Sequence, residues 1–170
     1  KSAGFEGELS ALPSISLGAF DAPPLDVARS YNTLANFGLK RELTATLAII
    51  ADDGHAIAKF TPRDERALPP EETANMVQLM TSVFEIGTAH PARAEGFVWP
   101  AAGKTGTQYE NTNAWFMGGT PQLSTAVWVG DPNGYTPMEG IPEFAAEMGR
   151  NGKVQGADYP ARIWGAFMEA

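Results

Sequence analysis

Residues 101–107 read Ala-Ala-Gly-Lys-Thr-Gly-Thr, and the rest of the chain is arranged around them. Lys104 supplies a compact positive charge between hydroxyl donors, and Gly106 leaves the backbone accessible because it has no side chain. This pattern is typical of a strand that binds an anion. A phosphate-binding P-loop would need a glycine five residues before Gly103, where the chain has Val98, and then a helix. The spacing therefore argues against phosphate.

Strands are predicted at this stretch and directly after it. β-Branched and aromatic residues occur in short runs at 113–119 and 123–130, with a Thr120-Pro121 turn between them. We therefore expect strands at 101–108, 113–119 and 123–130. The loop 108–112 would join the first two strands beside the anion site.

Helices are predicted before and after these strands in the sequence. Their starts are marked by Pro23-Pro24, by Pro69-Pro70 and by Asp158 with Pro160, and the first two end near Asn36 and Gly87. Each has an apolar stripe at helical spacing. The stripes consist of Val27, Tyr31, Leu34 and Ala35; of Met76, Met80, Val83 and Phe84; and of Ile163, Trp164, Phe167 and Met168. We expect the third stripe to lie on the sheet.

The remaining segments are predicted to be a hairpin and two loops. Residues 43–50 and 55–60 are rich in apolar and β-branched side chains, and Asp52-Asp53-Gly54 between them is a strong tight-turn signal. Residues 88–100 are expected to form a loop. Residues 131–157 are rich in glycine and proline, and a loop of this length is typical of a functional, mobile or inserted segment.

The strands and their loops resemble a known family. After Gly-Lys-Thr-Gly-Thr at 103–107 come Ala-Trp-Phe at 114–116, Gly-Gly-Thr-Pro at 118–121 and Ala-Val-Trp-Val-Gly at 126–130. This order resembles the C-terminal half of the transpeptidase domain of class A, bifunctional penicillin-binding proteins. Further similar segments are Pro-Ser-Ile-Ser-Leu-Gly-Ala at 13–19, Pro-Leu-Asp-Val-Ala at 24–28, Ala-Asn-Phe-Gly at 35–38, Gly-Thr-Ala at 87–89 and Tyr-Pro-Ala-Arg-Ile-Trp at 159–164. The last is most similar to actinobacterial members.

The resemblance implies a fold and a reaction. The fold is α+β, an antiparallel β-sheet with flanking helices, as in penicillin-binding proteins and β-lactamases. Residues 1–170 would form the C-terminal part of a single transpeptidase domain. In this family of cell-wall acyltransferases, a serine attacks the D-Ala-D-Ala bond of a peptidoglycan stem peptide, and an amine of a neighbouring strand then receives the acyl group. β-Lactam antibiotics acylate the serine because they imitate the acyl donor.

The resemblance also implies roles for individual residues. Lys104 and Thr107 are expected to be catalytic: the lysine supplies positive potential and assists proton transfer near the serine, and the Thr107 N–H forms half of an oxyanion hole. The hydroxyls of Thr105 and Thr107 are expected to bind the terminal carboxylate of the substrate. Substrate contacts are expected from four residues on or beside the strand: Thr105, Gly106, Tyr109 and Trp115.

The nucleophile motif of the family, Ser-x-x-Lys, does not occur in this chain, since no serine precedes a lysine by three positions. We therefore expect the N-terminal half of the domain to carry the serine and to pack against this chain. Without a nucleophile, the chain alone should have no transpeptidase activity. Alternatives that share the Lys-Thr-Gly strand are a serine β-lactamase, a D,D-carboxypeptidase, and a non-catalytic penicillin-binding-like module that binds peptidoglycan.

Composition excludes several other classes of protein. Hydrophobic residues make up 44% and charged residues 19% of the 170 positions, as in a globular domain. A formal net charge of −8 disfavours nonspecific binding to nucleic acid. There is no cysteine, and neither His55 nor His90 has neighbouring ligands, so we expect no metal and no other cofactor.

The expected location follows from the resemblance. No apolar run reaches the length of a membrane span. The family implies work at the extracytoplasmic face of the plasma membrane, in the cell envelope, with an anchor in a segment outside this chain. The first residue is Lys1 and not methionine, so we expect the chain to be a piece of a longer protein.

Overall fold

The computed structural model describes residues 1–148 and 151–170. Within these residues the helices are α1 (Pro24–Ala35), α2 (Pro70–Glu85), α3 (His90–Ala94), α4 (Pro142–Met148) and α5 (Tyr159–Glu169). The strands are β1 (Leu39–Arg41), β2 (Ala48–Ile50), β3 (Ala56–Lys59), β4 (Asp64–Arg66), β5 (Ala102–Thr107), β6 (Asn113–Gly119) and β7 (Ser124–Gly130). Short 3₁₀ turns occur at Pro13–Leu17 and Tyr109–Asn111.

The central sheet is antiparallel and has the order β5-β6-β7. Thr105 pairs with Phe116, which in turn pairs with Val127. The three strands predicted from the sequence are confirmed, and their ends differ from the prediction by at most one residue. In the described part of the chain no strand pairs with the other side of β5, so β5 is an edge strand.

An aromatic cluster forms the core on one face of this sheet. Phe116 of β6 points to this face and is fully buried with Phe84 of α2, Phe97 and Trp164 of α5. Their neighbouring ring centroids lie 4.9 to 6.0 Å apart. Burying one such side chain contributes on the order of 1.5–3 kcal/mol. The cluster therefore fixes α2 and α5 behind the sheet.

Helix α1 lies on the opposite side. It contacts β6 and β7, and Tyr31 faces the same open space as Trp115 and Trp128. The carboxylate of Asp26 is buried and accepts hydrogen bonds from the backbone N–H groups of Glu6 and Gly7 at 3.0 and 2.9 Å. The sheet thus has a closed face towards α2 and α5 and an open face towards α1.

Two apolar stripes differ from the prediction. In α5, Trp164 is buried, but Ile163 and Phe167 are 49% and 55% exposed. The buried face instead contains Pro160, Ala161, Trp164 and Gly165. A Cβ on Gly165 would lie 2.5 Å from the Ala92 carbonyl oxygen, so α5 approaches α3 too closely for a larger residue. In α2, Phe84 is buried as predicted, whereas Met76 is 49% exposed.

Three connecting segments also differ in detail. The hairpin at 43–60 is confirmed, but its strands β2 and β3 are shorter than predicted, and their pairing has a register shift at Ile49/Ile50. Residues 88–100 were predicted as a loop and contain the short helix α3. Residues 131–157 contain α4 and then return to the sheet, although the part at 149–150 lies outside the described residues. Among the described helices, none is long and apolar enough to cross a bilayer.

Candidate active site

The peptide groups of β5 alternate between the sheet and the open edge. Gln108, which follows Thr107 in the same register, donates its N–H to the Asn113 carbonyl of β6 at 2.9 Å. In an antiparallel ladder alternate residues bond to the partner strand. The N–H and C=O groups of Thr105 and Thr107 therefore point away from β6. The Lys104 ammonium donates to the outward carbonyl of Thr105 at 2.8 Å.

The open face of the sheet lines a cleft of about 1310 Å³. Lys104 and Gly106 pair with Met117 and Trp115, so these side chains share the cleft face. The other walls are α1 with the segment 15–22, and the turn 131–135. The structure brings all six predicted site residues to this cleft: Lys104, Thr105, Gly106, Thr107, Tyr109 and Trp115.

Two tryptophans form the floor beside Gly106. The rings of Trp115 and Trp128 have centroids 6.3 Å apart, and the Trp128 Nε1–H donates to Asn113 Oδ1 at 2.7 Å. A Cβ on Gly106 would lie 3.3 Å from the Cβ of Trp115, which is tight packing. Gly106 therefore leaves room for the Trp115 side chain and also leaves the backbone of β5 accessible.

The two threonine side chains turn towards the closed face and have defined partners. The Thr105 and Thr88 hydroxyl oxygens are 2.7 Å apart. The Thr107 hydroxyl oxygen accepts a hydrogen bond from the Gly156 N–H at 3.0 Å. Because that hydroxyl acts as an acceptor here, its proton stays available for a ligand at the edge. Both hydroxyls are thus oriented by segments remote in sequence.

Tyr109 lies at the mouth of the cleft and is 84% exposed. It begins a turn in which Glu110 and Asn111 both have left-handed backbone angles, with φ of 54° and 55°. Such angles are costly for residues other than glycine. The buried side chain of Asn111 holds the turn, because its Nδ2 donates to the Val154 carbonyl at 2.9 Å.

Several residues at the site were not predicted. In the sequence, Thr88 belongs to a family-like segment at 87–89 and Gly156 to the long segment 131–157. Tyr135 donates its O–H to Asp21 Oδ2 at 2.8 Å across the cleft mouth, and this bond raises the pKa of Tyr135. The spacing Asp131-Pro132-Asn133 was a recognisable turn signal, and hydrogen bonds from Thr136 and from the Asn133 N–H lower the pKa of Asp131.

The described part of the site offers no arrangement for a metal ion. Over residues 1–148 and 151–170, no group of three or more histidine, cysteine, aspartate or glutamate side chains lies close enough together to hold one. The Lys104 ammonium lies at the free edge of β5, where it donates to the outward Thr105 carbonyl. The chemistry of the described site therefore consists of one cation, two hydroxyls and outward peptide groups.

Comparison with known protein sequences identifies the same family that the sequence motifs resemble. The profile of the penicillin binding protein transpeptidase domain matches residues 6–136. Penicillin-binding protein 1B of Escherichia coli (strain K12) is 33% identical over 126 residues, which are 74% of this chain and 15% of that protein. The chain therefore spans a small part of the length of this curated relative.

Solved structures show the same fold. The penicillin-binding protein PonA1 from Mycobacterium tuberculosis matches with a TM-score of 0.79 at 24% identity, over 99% of this chain and 47% of that one. The PonA1 structure in complex with penicillin V matches with a TM-score of 0.79 at 23% identity, over 99% and 46% of the two chains. At these identities the likeness is one of fold.

Proposed function

The chain belongs to the family of class A penicillin-binding protein transpeptidase domains, and from this premise we propose that it forms the substrate-binding wall of a serine D,D-transpeptidase. The reaction would cross-link peptidoglycan stem peptides, and β-lactams would acylate the enzyme. The observation that carries the proposal is the free edge of β5. There, the outward peptide groups of Thr105 and Thr107 lie beside Lys104 in an open cleft.

An extended peptide fits such an edge because it can add as another antiparallel strand. Its backbone would bond to the outward N–H and C=O groups of Thr105 and Thr107. The C-terminal carboxylate of a D-Ala-D-Ala donor would accept hydrogen bonds from the Thr105 and Thr107 hydroxyls. Each hydrogen bond to a charged group contributes about 1.5–3 kcal/mol. Lys104 would then leave the Thr105 carbonyl and turn its charge towards the ligand.

The outward Thr107 N–H would stabilise the transition state. When the serine attacks, negative charge develops on the carbonyl oxygen of the donor, and a preorganised N–H donor at that position lowers the barrier. One such donor contributes about 2.7–4 kcal/mol. The amide belongs to the backbone, so replacing the Thr107 side chain removes the hydroxyl and leaves this donor. Lys104 would assist the proton transfer from the serine.

The serine would come from the N-terminal half of the same domain. In favour of this, the chain has no Ser-x-x-Lys motif, and the cleft of about 1310 Å³ has apolar residues at its rim. Leu17, for example, is 88% exposed. We propose that the other half fills this space, that the chain alone is inactive, and that the whole domain works at the extracytoplasmic face of the plasma membrane.

The test uses the complete protein and a fluorescent penicillin, with mass mapping of the labelled residue. We expect the label on a serine outside residues 1–170. Replacing Lys104→Ala should slow acylation by at least about 100-fold. The matched control is Lys59→Ala, which removes an exposed lysine of β3 and should leave the rate unchanged. Label on a serine of this chain, or equal rates for both variants, would contradict the proposal.

The stability of the acyl-enzyme separates the related functions. A transpeptidase hydrolyses its β-lactam acyl-enzyme much more slowly than a β-lactam hydrolase does. We therefore expect the label to persist for hours. Rapid loss of label would favour a serine β-lactamase or a carboxypeptidase that uses the same strand. Absence of label from the intact protein would favour a module that binds peptidoglycan without catalysis.

A further inference from the structure

Thr88 lies in a rigid corner directly after α2. The next residue, Ala89, is fully buried and donates its N–H to the Val83 carbonyl at 3.0 Å. The preceding residue, Gly87, lies so close to the last turn of α2 that a Cβ there would be 2.7 Å from Val83 Cα. The corner therefore fixes the backbone of Thr88 from both sides.

From this corner the Thr88 side chain reaches the site strand. Its hydroxyl oxygen lies 2.7 Å from that of Thr105, at the distance of a normal O–H···O hydrogen bond. The two residues are 17 positions apart in sequence, and α2 packs directly on β5. Thr88 does not line the cleft itself. Thr88 can therefore affect a ligand in the cleft only through its hydrogen bond with Thr105.

The number of hydroxyl protons limits the hydrogen bonds that Thr88 and Thr105 can donate. Each hydroxyl has one proton to donate, and one of the two protons lies in the bond between them. When Thr105 donates to an anion at the edge, Thr88 must be the donor to Thr105. The result is a chain from the Thr88 hydroxyl through the Thr105 hydroxyl to the anion. Successive hydrogen bonds in such a chain polarise and strengthen one another.

We propose that Thr88 is a positioning residue that tunes the site for a carboxylate-bearing acyl donor. Its hydroxyl donates to Thr105 Oγ1 and so directs the Thr105 proton to the ligand. This inference rests on the proposed function, since it concerns the acyl-donor subsite of that reaction. A donor without the negative charge gains less from the polarised hydroxyl, so Thr88 acts on specificity.

The experiment compares two ligands on the complete protein. Benzylpenicillin carries the carboxylate, and its methyl ester does not; the second-order acylation rate of each is measured by competition with a fluorescent penicillin. We expect Thr88→Val to slow acylation by benzylpenicillin about 3- to 10-fold, as for loss of one hydrogen bond. The rate with the ester should stay unchanged, and Thr88→Ser, which retains a hydroxyl, should restore the rate with the acid.

Two further variants isolate the contact. In a Thr105→Val background, Thr88→Val should have no additional effect on benzylpenicillin, because the residue through which it acts is gone. Thr81→Val is the matched control, since the Thr81 hydroxyl donates to the Gln78 carbonyl within α2. It should leave both acylation rates as in the wild type.

The outcomes separate this inference from the function on which it rests. A wild-type protein that no β-lactam acylates would overturn the proposed function. A wild type that is acylated, with Thr88→Val slowing acid and ester equally or Thr88→Ser failing to restore the rate, would overturn the positioning role alone. Equal rates for wild type and Thr88→Val with benzylpenicillin would overturn it as well.

Discussion

Gly156 supports the site strand from the face opposite the cleft. Its N–H donates to the Thr107 hydroxyl at 3.0 Å, and a Cβ at this position would lie 2.5 Å from the Gly106 carbonyl oxygen. The Trp115 carbonyl oxygen would be closer still. These neighbours are backbone atoms, which cannot turn aside as a side chain can. The backbone at residue 156 can therefore lie this close to β5 and β6 only because the residue is glycine.

We predict that Gly156→Ala lowers the free energy of unfolding and disturbs the position of β5 at the site. Overpacking of this kind costs about 1–3 kcal/mol. The matched control is Gly134→Ala, because a Cβ on Gly134 would meet no atom within 4 Å. The control should change the free energy of unfolding by less than about 0.5 kcal/mol. Urea unfolding of the complete domain checks both, and equal stabilities would contradict the contact described for Gly156.

The pH dependence of stability should report on Tyr31. Burial on α1 raises the pKa of its phenol from 10.0 to about 12, because the charged phenolate is poorly solvated there. The raised pKa means that the associated stability is fully present below pH 10 and is lost as the pH rises to 12. The loss amounts to about 2–3 kcal/mol. In Tyr31→Phe this part of the slope should disappear, as measured by urea unfolding between pH 8 and 12; an unchanged slope would show that Tyr31 is solvated.

At the scale of elements, α5 shows which face of a helix carries the packing. We predict that Trp164→Ala costs about 3–5 kcal/mol, because the ring fills the centre of the aromatic cluster. Phe167→Ala, on the same helix, should cost no more than about 0.5 kcal/mol, since Phe167 is 55% exposed. Thermal and urea unfolding check the pair. Comparable losses would mean that α5 packs through Phe167 after all.

Local signals predicted the strands well and the face of α5 poorly. Runs of β-branched and aromatic residues with a marked turn gave β6 and β7 directly, because side-chain shape and backbone preference agree there. In α5 the largest apolar side chains suggested one face, whereas contact with α3 selects small residues. Ala161 and Gly165 mark that close approach, and their size gives no signal in an apolar pattern. α3, with five residues, is too short to show a helical period.

The sequence predicted that the candidate site residues lie together, and it gave no sign of the residues that orient them. The Lys-Thr-Gly motif and the loop after it identify residues that all line one cleft. The contacts that orient them come from far along the chain: Thr88 is 17 residues before Thr105, and Gly156 is 49 residues after Thr107. Such pairs are created by packing of α2 on β5 and by the return of 151–157. Neither leaves a local pattern in the sequence.

For the whole molecule, the open cleft should govern how the chain behaves by itself. Apolar side chains face solvent around it, with Leu17 88% and Phe20 38% exposed. We predict that the isolated chain binds a hydrophobic dye such as ANS and takes up no fluorescent penicillin. Adding the N-terminal half of the domain should displace the dye and produce labelling.

A matched partner separates packing from chemistry in this experiment. An N-terminal half whose nucleophilic serine is replaced by alanine should displace the dye equally well and give no label. Dye binding that persists with both partners would contradict the proposal that the other half fills the cleft. Labelling of the isolated chain would contradict the division of the active site between the two halves.

The free edge of β5 also bears on self-association. Unpaired backbone groups on an edge strand can recruit a strand from any neighbouring molecule, including another copy of the same protein. Here the Lys104 ammonium donates a hydrogen bond to the outward Thr105 carbonyl at 2.8 Å, and an added strand must first break this hydrogen bond. We therefore expect Lys104 to disfavour pairing of β5 with another copy of the protein until a ligand binds this edge. A bound peptide would then act as a solubilising agent, keeping the protein monomeric in concentrated solution.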